Sequence, residues 1–487
     1  MAPVAFYFAA TVLFAQSTVA FNCSKPPIYV DIHKRVVHGT DKFQYGSFIG
    51  VGTPAQNQSL WPSLSQNHTS FASSKYCDNS TLKDCSRSTR GNFDATLSQT
   101  YKADKNLQSL DVNKDNGSFT GFLARDDIHL YTHFFETDGA SQNLVPDSTI
   151  EIATSGSISP GIVGMGQTST LLQSLYDQNL IAGRTYSLYI GSGMDRAGGV
   201  VNGSNTFGGF DAGRFTGDVH SYHMDLYRRN PLAVRVKDIV INETPNSKQN
   251  ISLFDPVKFP SMKSRPDPFT AEITTDQYPL SLPYQLTQNL IKQLSAEKDK
   301  DNAWGDDSLK LTKPFNGTLS IILEDDFVIT LPTEVVYNAS GISPIQDRAE
   351  ESTKPFYLSV AFLTQVYLMA DFDTFQFYLA TARQKNNAVM PRTFCPKSTP
   401  SPYSPPKKSA FTSQGLIGAV VGGLVGGLSL LAFGACLFVG WRRRKDHKRL
   451  ERELEKGRKA RMVQMGVNDV EFESPPKTAR AGFWRKR

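Results

Sequence analysis

The sequence predicts an all-β globular region carried on a single membrane-spanning segment, and three observations predict it. From Phe43 to about Ser221, short alternating apolar and polar runs are separated by Gly, Asn, Asp and Ser. Ten N-x-S/T sequons lie before the apolar segment near the C-terminal end, and none follows it. That segment, Gly415 to Gly440, has 26 residues without a charge and is followed by RRRK at 442–445.

Residues 1–20 (MAPVAFYFAATVLFAQSTVA) are apolar and end with small residues at Thr18 and Ala20, which reads as a signal peptide. A buried first strand or helix is the alternative. The sequons at Asn22, Asn57, Asn67, Asn79, Asn116, Asn202, Asn242, Asn250, Asn316 and Asn338 argue against it, because glycan acceptors belong to a lumenal ectodomain. Residues 386–414 are rich in Pro, Ser and Lys without periodicity and predict an extended stalk. A transmembrane helix is expected over 415–441. The basic stop sequence places a tail, 442–487, in the cytoplasm and the amino terminus outside. This predicts a route through the secretory pathway to the cell surface.

The formal net charge of +6 belongs to that tail. Residues 442–487 hold 16 Lys/Arg against 7 Asp/Glu, leaving 36 against 39 for the rest, so nucleic-acid binding is not expected. Arg442 to Arg461 reads either as a basic helix on anionic lipid or as a stop-transfer anchor continued by a solvated helix. Gly418, Gly422 and Gly426 share one helix face, where two copies could pair closely. Cys23, Cys77, Cys85 and Cys395 lie in the ectodomain and Cys436 in the apolar segment. An even number in an oxidising compartment implies two disulfides, with three pairings open. These cysteines and the eight histidines match no metal-ligand spacing, and neither a metal nor another cofactor is expected.

Several motifs then recur in a telling order. Tyr45 to Gln56 (YGSFIGVGTPAQ) reads as strand, turn and strand; Asp94 to Tyr101 is DATLSQTY; Asn116 to Leu123 is NGSFTGFL. Gly161 to Gly166 is GIVGMG, Leu171 to Ile190 reads as helix, turn and strand, and Phe207 to Gly217 is FGGFDAGRFTG. In this order the motifs resemble those of pepsin-like aspartic proteases, over nearly the whole ectodomain. The resemblance implies a bilobal fold, with an N-terminal lobe at 21–220 and a C-terminal lobe at 221–385. It also implies the pair Cys77–Cys85, which leaves Cys23–Cys395 to join the ends of the ectodomain.

The residues that carry the family's chemistry differ. The family places Asp-Thr-Gly about ten residues after Gly-Thr-Pro; here the count lands on Ser63-Leu64-Ser65, and residues 57–76 contain no Asp or Glu. In the second lobe FTAEITTDQYPLSLP (269–283) sets Thr274 at the aspartate position and Asp276 at the glycine position. In the flap hairpin Gly117 and Ser118 fit the pattern, but Lys114 stands where the family has a tyrosine. Ser359 replaces a packing glycine within YLSVAFLTQVYLMADFD.

Aspartic proteolysis needs two carboxylates close enough to share a proton, and hydroxyls with pKa values far above working pH cannot substitute. The expectation is a proteolytically dead member whose cleft binds peptide or protein, or serves as architecture. Asp276 is the one substitute carboxylate, so the alternative is an active endopeptidase with an atypical site. A third reading is an adhesion or wall-associated structural glycoprotein. Asn57 and Asn67 bracket the altered loop; glycans on both would oppose its packing at a cleft floor.

Overall fold

The computed structural model describes residues 23–38, 40–103, 109–114, 117–131, 142–192, 201–244, 250–302, 307–338, 340–385, 389–395, 398–404 and 416–464. The expected signal peptide, Asn22, Asn116 and the tail beyond Gln464 lie outside the described residues. The chain divides into two units, Met1–Tyr403 and Ser404–Arg487.

The first unit is built almost entirely of strands. An antiparallel meander opens it: β1 (Ile28–Val36), β2 (Phe43–Val51) and β3 (Gln56–Ser63). Gly52, at φ +82°, supplies the left-handed turn between β2 and β3. After β4 (Thr69–Ser73) a long hairpin projects, β5 (Ser109–Lys114) with β6 (Gly117–Tyr131), in which Lys114 pairs with Gly117 at the tip. Then come β7 (Gln142–Gly156), the short β8 (Ile162–Gly164), and α1 (Thr170–Asp177). Ser169 caps α1 by accepting the Leu172 N–H at 3.2 Å, and Leu171, Leu172 and Leu175 form its buried face. Two strands close this half, β9 (Thr185–Tyr189) and β10 (Gly203–Phe207).

The second half contains β11 (Phe215–His223), β12 (Ala233–Asn242), β13 (Phe269–Ile273), β14 (Leu280–Ser281) and α2 (Tyr284–Leu294). It continues through β15 (Thr318–Leu323), β16 (Ile342–Gln346), β17 (Phe356–Leu358), β18 (Val366–Asp371) and β19 (Gln376–Ala382). Among the described residues the larger sheet runs β11-β19-β18-β9-β10-β1-β2-β3-β8-β4-β7-β6, and the smaller contains β16-β14-β17-β13-β12-β15. β18, assigned to the C-terminal lobe by sequence, therefore pairs with β9 of the first half, and β19 joins the same sheet between β18 and β11.

An internal repeat organises the two lobes. In the first, β3–β8 is parallel, β8–β4 antiparallel and β4–β7 parallel. In the second, β13–β17 is parallel, β17–β14 antiparallel and β14–β16 parallel. The same weave thus holds the end of β3 at Ser63 and the end of β13 at Ile273, one residue before Thr274. Buried side chains back both: Phe71, Val163 and Met165 in the first lobe, Leu282, Leu358 and Phe362 in the second. Each such burial stabilises by about 1.5–3 kcal/mol.

The expected stalk differs from the structure at its start. Pro391–Thr393 pairs with Gly209–Asp211, and the Tyr403 N–H donates to Ala212 O at 2.7 Å, so the chain stays packed on the β unit through Tyr403. Backbone hydrogen bonding and the buried Phe394 ring hold a segment that composition alone marks as extended. Cys77–Cys85 and Cys23–Cys395 are both bonded, with Cα separations of 5.7 and 5.6 Å.

In the second unit a single helix, α3 (Leu416–Gln464), covers both the uncharged segment and the basic one that follows. It is the one helix among the described residues long and apolar enough to cross a membrane. At 1.5 Å per residue the uncharged stretch is about 39 Å long, more than the hydrocarbon core requires. Gly418, Gly422 and Gly426 are exposed along it.

Glycines of the GIVGMG run set how closely the loop after β3 approaches β8. A Cβ on Gly164 would stand 2.6 Å from the backbone of His68 and 2.7 Å from that of Asn67. Gly164→Ala is expected to cost about 1–3 kcal/mol, read as a lower urea midpoint of the full chain. An unchanged midpoint would contradict this packing.

Candidate functional site

The two woven loops meet across the lobe interface, and their contacts define a floor. The Leu64 N–H donates to Thr275 Oγ1 at 3.2 Å, and the Trp61 indole N–H to Thr275 O at 2.8 Å. Leu64 and Thr275 are therefore the facing middle residues, which places Ser63 and Thr274 as counterparts. Leu64, which has no side-chain oxygen, cannot return the contact to the Thr275 backbone.

Asp276 is the centre of the floor. Its Oδ1 accepts from Ser63 Oγ at 2.7 Å and from Lys114 Nζ at 2.7 Å, and its Oδ2 from Ser65 Oγ at 2.5 Å. Lys114 comes from the hairpin tip, Ser63 and Ser65 from the loop after β3, so one carboxylate joins three separate segments. The Lys114 and Asp276 side chains are only 11% and 17% exposed. The Thr274 hydroxyl accepts the Asp276 N–H at 3.1 Å. The structure thus brings together Ser63, Asp276 and Lys114 and gives Thr274 a supporting role in the turn. Gly117 and Ser118 stay on the hairpin, where the Ser118 N–H donates to Ser157 Oγ at 3.1 Å. Arg229 of the second lobe donates to Asn113 O at 3.1 Å and ties the hairpin down beside Lys114.

Burial acts to raise the Asp276 pKa. The Lys114 ammonium, its hydrogen bond and those from Ser65 and Ser63 more than offset it, holding the carboxyl below its ordinary value of 3.8. A carboxylate so stabilised in its charged form is a weak general base and a poor proton donor near neutrality.

Two cavities flank the ion pair, and Lys114, Asp276 and Gln277 border both. One, of about 110 Å³, is polar and reaches Asn113, Arg229 and Glu272; Glu272 pairs with Arg228 at 3.1 Å. The other, of about 280 Å³, is walled by Trp61, Ile158, Ile162, Tyr278 and Val360, with Arg90 at its edge. Ser65, Trp61, Arg90 and Arg229 carry no sequence-level signal for this role except Ser65, which sits at the family's glycine position. Asn57 and Asn67 are half-buried beside the packed loop; Asn57 Oδ1 accepts from Tyr131 OH at 2.6 Å and Asn67 Oδ1 from the Thr168 N–H at 3.1 Å.

Two woven β lobes that share a floor under a projecting hairpin define a protein of the aspartic-protease architecture. The family model for eukaryotic aspartyl proteases matches residues 44–381, and the chain belongs to that family. Rhizopuspepsin of Rhizopus chinensis is 27% identical over 206 residues, 39% of this chain and 46% of that protein. Secreted aspartic protease 7 of Candida albicans is 28% identical over 193 residues, 38% of this chain and 30% of that protein. Cathepsin E-A of Xenopus laevis is 26% identical over 181 residues, 36% of this chain and 43% of that protein. The chain therefore spans less than half the length of these curated relatives. A solved aspartic proteinase from Irpex lacteus aligns with 73% of this chain and 97% of its own, at 17% identity and a TM-score of 0.49.

The ion pair yields a prediction with a defined sign. Because the folded pKa of Asp276 is depressed, its contribution to stability is present above the unfolded value of about 3.9 and is lost as pH falls through the folded value. At pH 7, Asp276→Asn is expected to cost about 3–5 kcal/mol, since it leaves Lys114 buried without its counter-ion. That deficit should shrink below about pH 4 and be largely recovered in the double variant Lys114→Met/Asp276→Asn. Additive losses across this cycle, measured by urea denaturation, would refute the coupling.

Proposed function

We propose that this chain is a membrane-anchored, glycosylated protein of the secretory pathway whose aspartic-protease-like ectodomain is catalytically silent and binds peptide or protein in its cleft. The observation that carries the reading is the floor itself. One carboxylate, Asp276, is neutralised by Lys114 and bonded by Ser63 and Ser65. The family's mechanism needs two carboxyls that share a proton; here hydroxyls stand at Ser63 and Thr274, the positions aligned with the aspartates. Lys114 on the hairpin adds a second obstacle, because it neutralises Asp276, the carboxylate a water nucleophile would use at that point of the floor.

The anchor is α3, whose apolar part is followed by RRRK at 442–445, so the ectodomain lies outside and the tail in the cytoplasm. Exposed sequons at Asn79, Asn250 and Asn316 suit glycosylation on that side. Two copies would pair through the face of Gly418, Gly422 and Gly426. One observation favours the alternative of an active endopeptidase: Asp276 does reach the floor, within hydrogen-bonding distance of two hydroxyls.

The test is incubation of the full chain in detergent with a diverse peptide library from about pH 3 to 7, spanning carboxylate titration, with products read by mass spectrometry. No cleavage is expected at any pH, and a statine-type transition-state mimic should bind weakly. Cleavage that disappears in Asp276→Asn would replace the silent reading with the active one.

A further inference from the structure

Arg90 is an unusual cation in the larger cleft cavity. Its guanidinium stacks on Trp61, with Cζ 5.0 Å from the ring centroid, and its Nη1 donates to Tyr45 O. No carboxylate among the described residues pairs with it. Burial without such a partner pulls its pKa down to about 10. The backbone is equally specialised: Arg90 lies at φ +65°, a region a long side chain occupies at a cost, with Gly91 at +115° beside it. Gly161 makes room, since a Cβ there would stand 2.6 Å from Arg90 Cβ. The fold thus holds a desolvated guanidinium at the edge of a cavity of about 280 Å³ whose walls are Trp61, Ile158, Ile162, Tyr278 and Val360.

An arginine whose planar guanidinium is held in place by stacking, with donors left over, is suited to bidentate recognition of a carboxylate. Lys114 cannot take that part, because Asp276 already holds its ammonium. The apolar walls accept a side chain, and the one acid lining the cavity, Asp276, is paired with Lys114 rather than with Arg90. The cavity is smaller than drug-sized pockets and fits about one residue.

We propose that this cavity is a selective subsite for a peptide carboxylate, bound by Arg90 over Trp61, with an adjoining apolar group packed against Ile158, Ile162 and Val360. The carboxylate is either an Asp or Glu side chain or a free C-terminus. The proposal rests on the cleft's binding peptides, the reading given above, and names their chemistry.

The test uses the full chain in nanodiscs of uncharged lipid. Its probes are a library of hexapeptides randomised at every position and prepared with free or amidated C-termini, followed by matched peptides differing only as Glu to Gln. Retained peptides should be enriched in Asp or Glu at one position, or in free C-termini, which separates the two sources. The acidic member of a matched pair should bind about tenfold or more tightly, the effect of one charge-assisted hydrogen bond. Binding should change Trp61 fluorescence, and the preference should fade as the peptide carboxyl is protonated. Arg90→Met should abolish the preference while leaving apolar binding, and Arg90→Lys should retain part of it. Equal binding of the Glu and Gln peptides, together with equal binding of free and amidated C-termini, to the unaltered protein overturns the subsite without needing a variant that folds. Peptide binding without a preference leaves the cleft reading intact and removes this inference. No peptide binding removes both.

Discussion

The contact on which the cleft depends is the ion pair between Lys114 and Asp276. Both side chains are largely removed from water, and each would be costly there alone. Together they neutralise one another, and Ser63 and Ser65 take up the remaining acceptor capacity of the carboxylate. The result is a junction of three chain segments otherwise distant in sequence: hairpin tip, first-lobe loop and second-lobe loop. The hairpin cannot lift from the floor without exposing an unpaired acid beneath it. Arg229, bonding Asn113 one residue from Lys114, reinforces that closure from the opposite lobe.

This junction sits on a frame that the family shares. The two weaves place Ser63 and Thr274 at related points, and the Leu64–Thr275 bond ties the two loops together. On the proposed reading the frame is retained while the groups mounted on it have changed together. A carboxylate displaced to position 276 demands a cation, and a lysine at the hairpin tip is long enough to supply it. The serines then satisfy oxygens that would otherwise be buried without donors. Each substitution is intelligible only with the others, which is why the site reads as one altered unit rather than as scattered losses. The fully apolar Leu64 fits the same logic, because it needs no partner at the interface.

Much of the architecture was legible in the sequence because glycine spacing is a backbone constraint. Gly164 permits close approach to the His68 backbone, and that requirement leaves the GIVGMG signature visible even where side chains diverge. Lys114, Ser63, Thr274 and Asp276 could be placed by counting from such landmarks. Their mutual contacts could not, since the distance from residue 114 to residue 276 is set by how the hairpin folds over. Arg90 was illegible for the same reason: it stacks on Trp61 from another segment, and no local pattern marks an arginine that lacks an acid. The stretch up to Tyr403 misled because proline-rich composition reports weak local order, while its pairing with Gly209–Asp211 is a tertiary contact. The long apolar helix needed no tertiary information, as its length and lack of charge are local properties.

The most direct measurement is a titration of the Asp276 carboxyl carbon by NMR in selectively ¹³C-aspartate-labelled protein, assigned by loss of the signal in Asp276→Asn. The account predicts a single step below the ordinary aspartate value, the behaviour of one carboxylate held charged by Lys114 and two hydroxyls. A raised value, or a two-step curve revealing a second carboxyl that shares its proton, would contradict it and return the cleft to the family's chemistry.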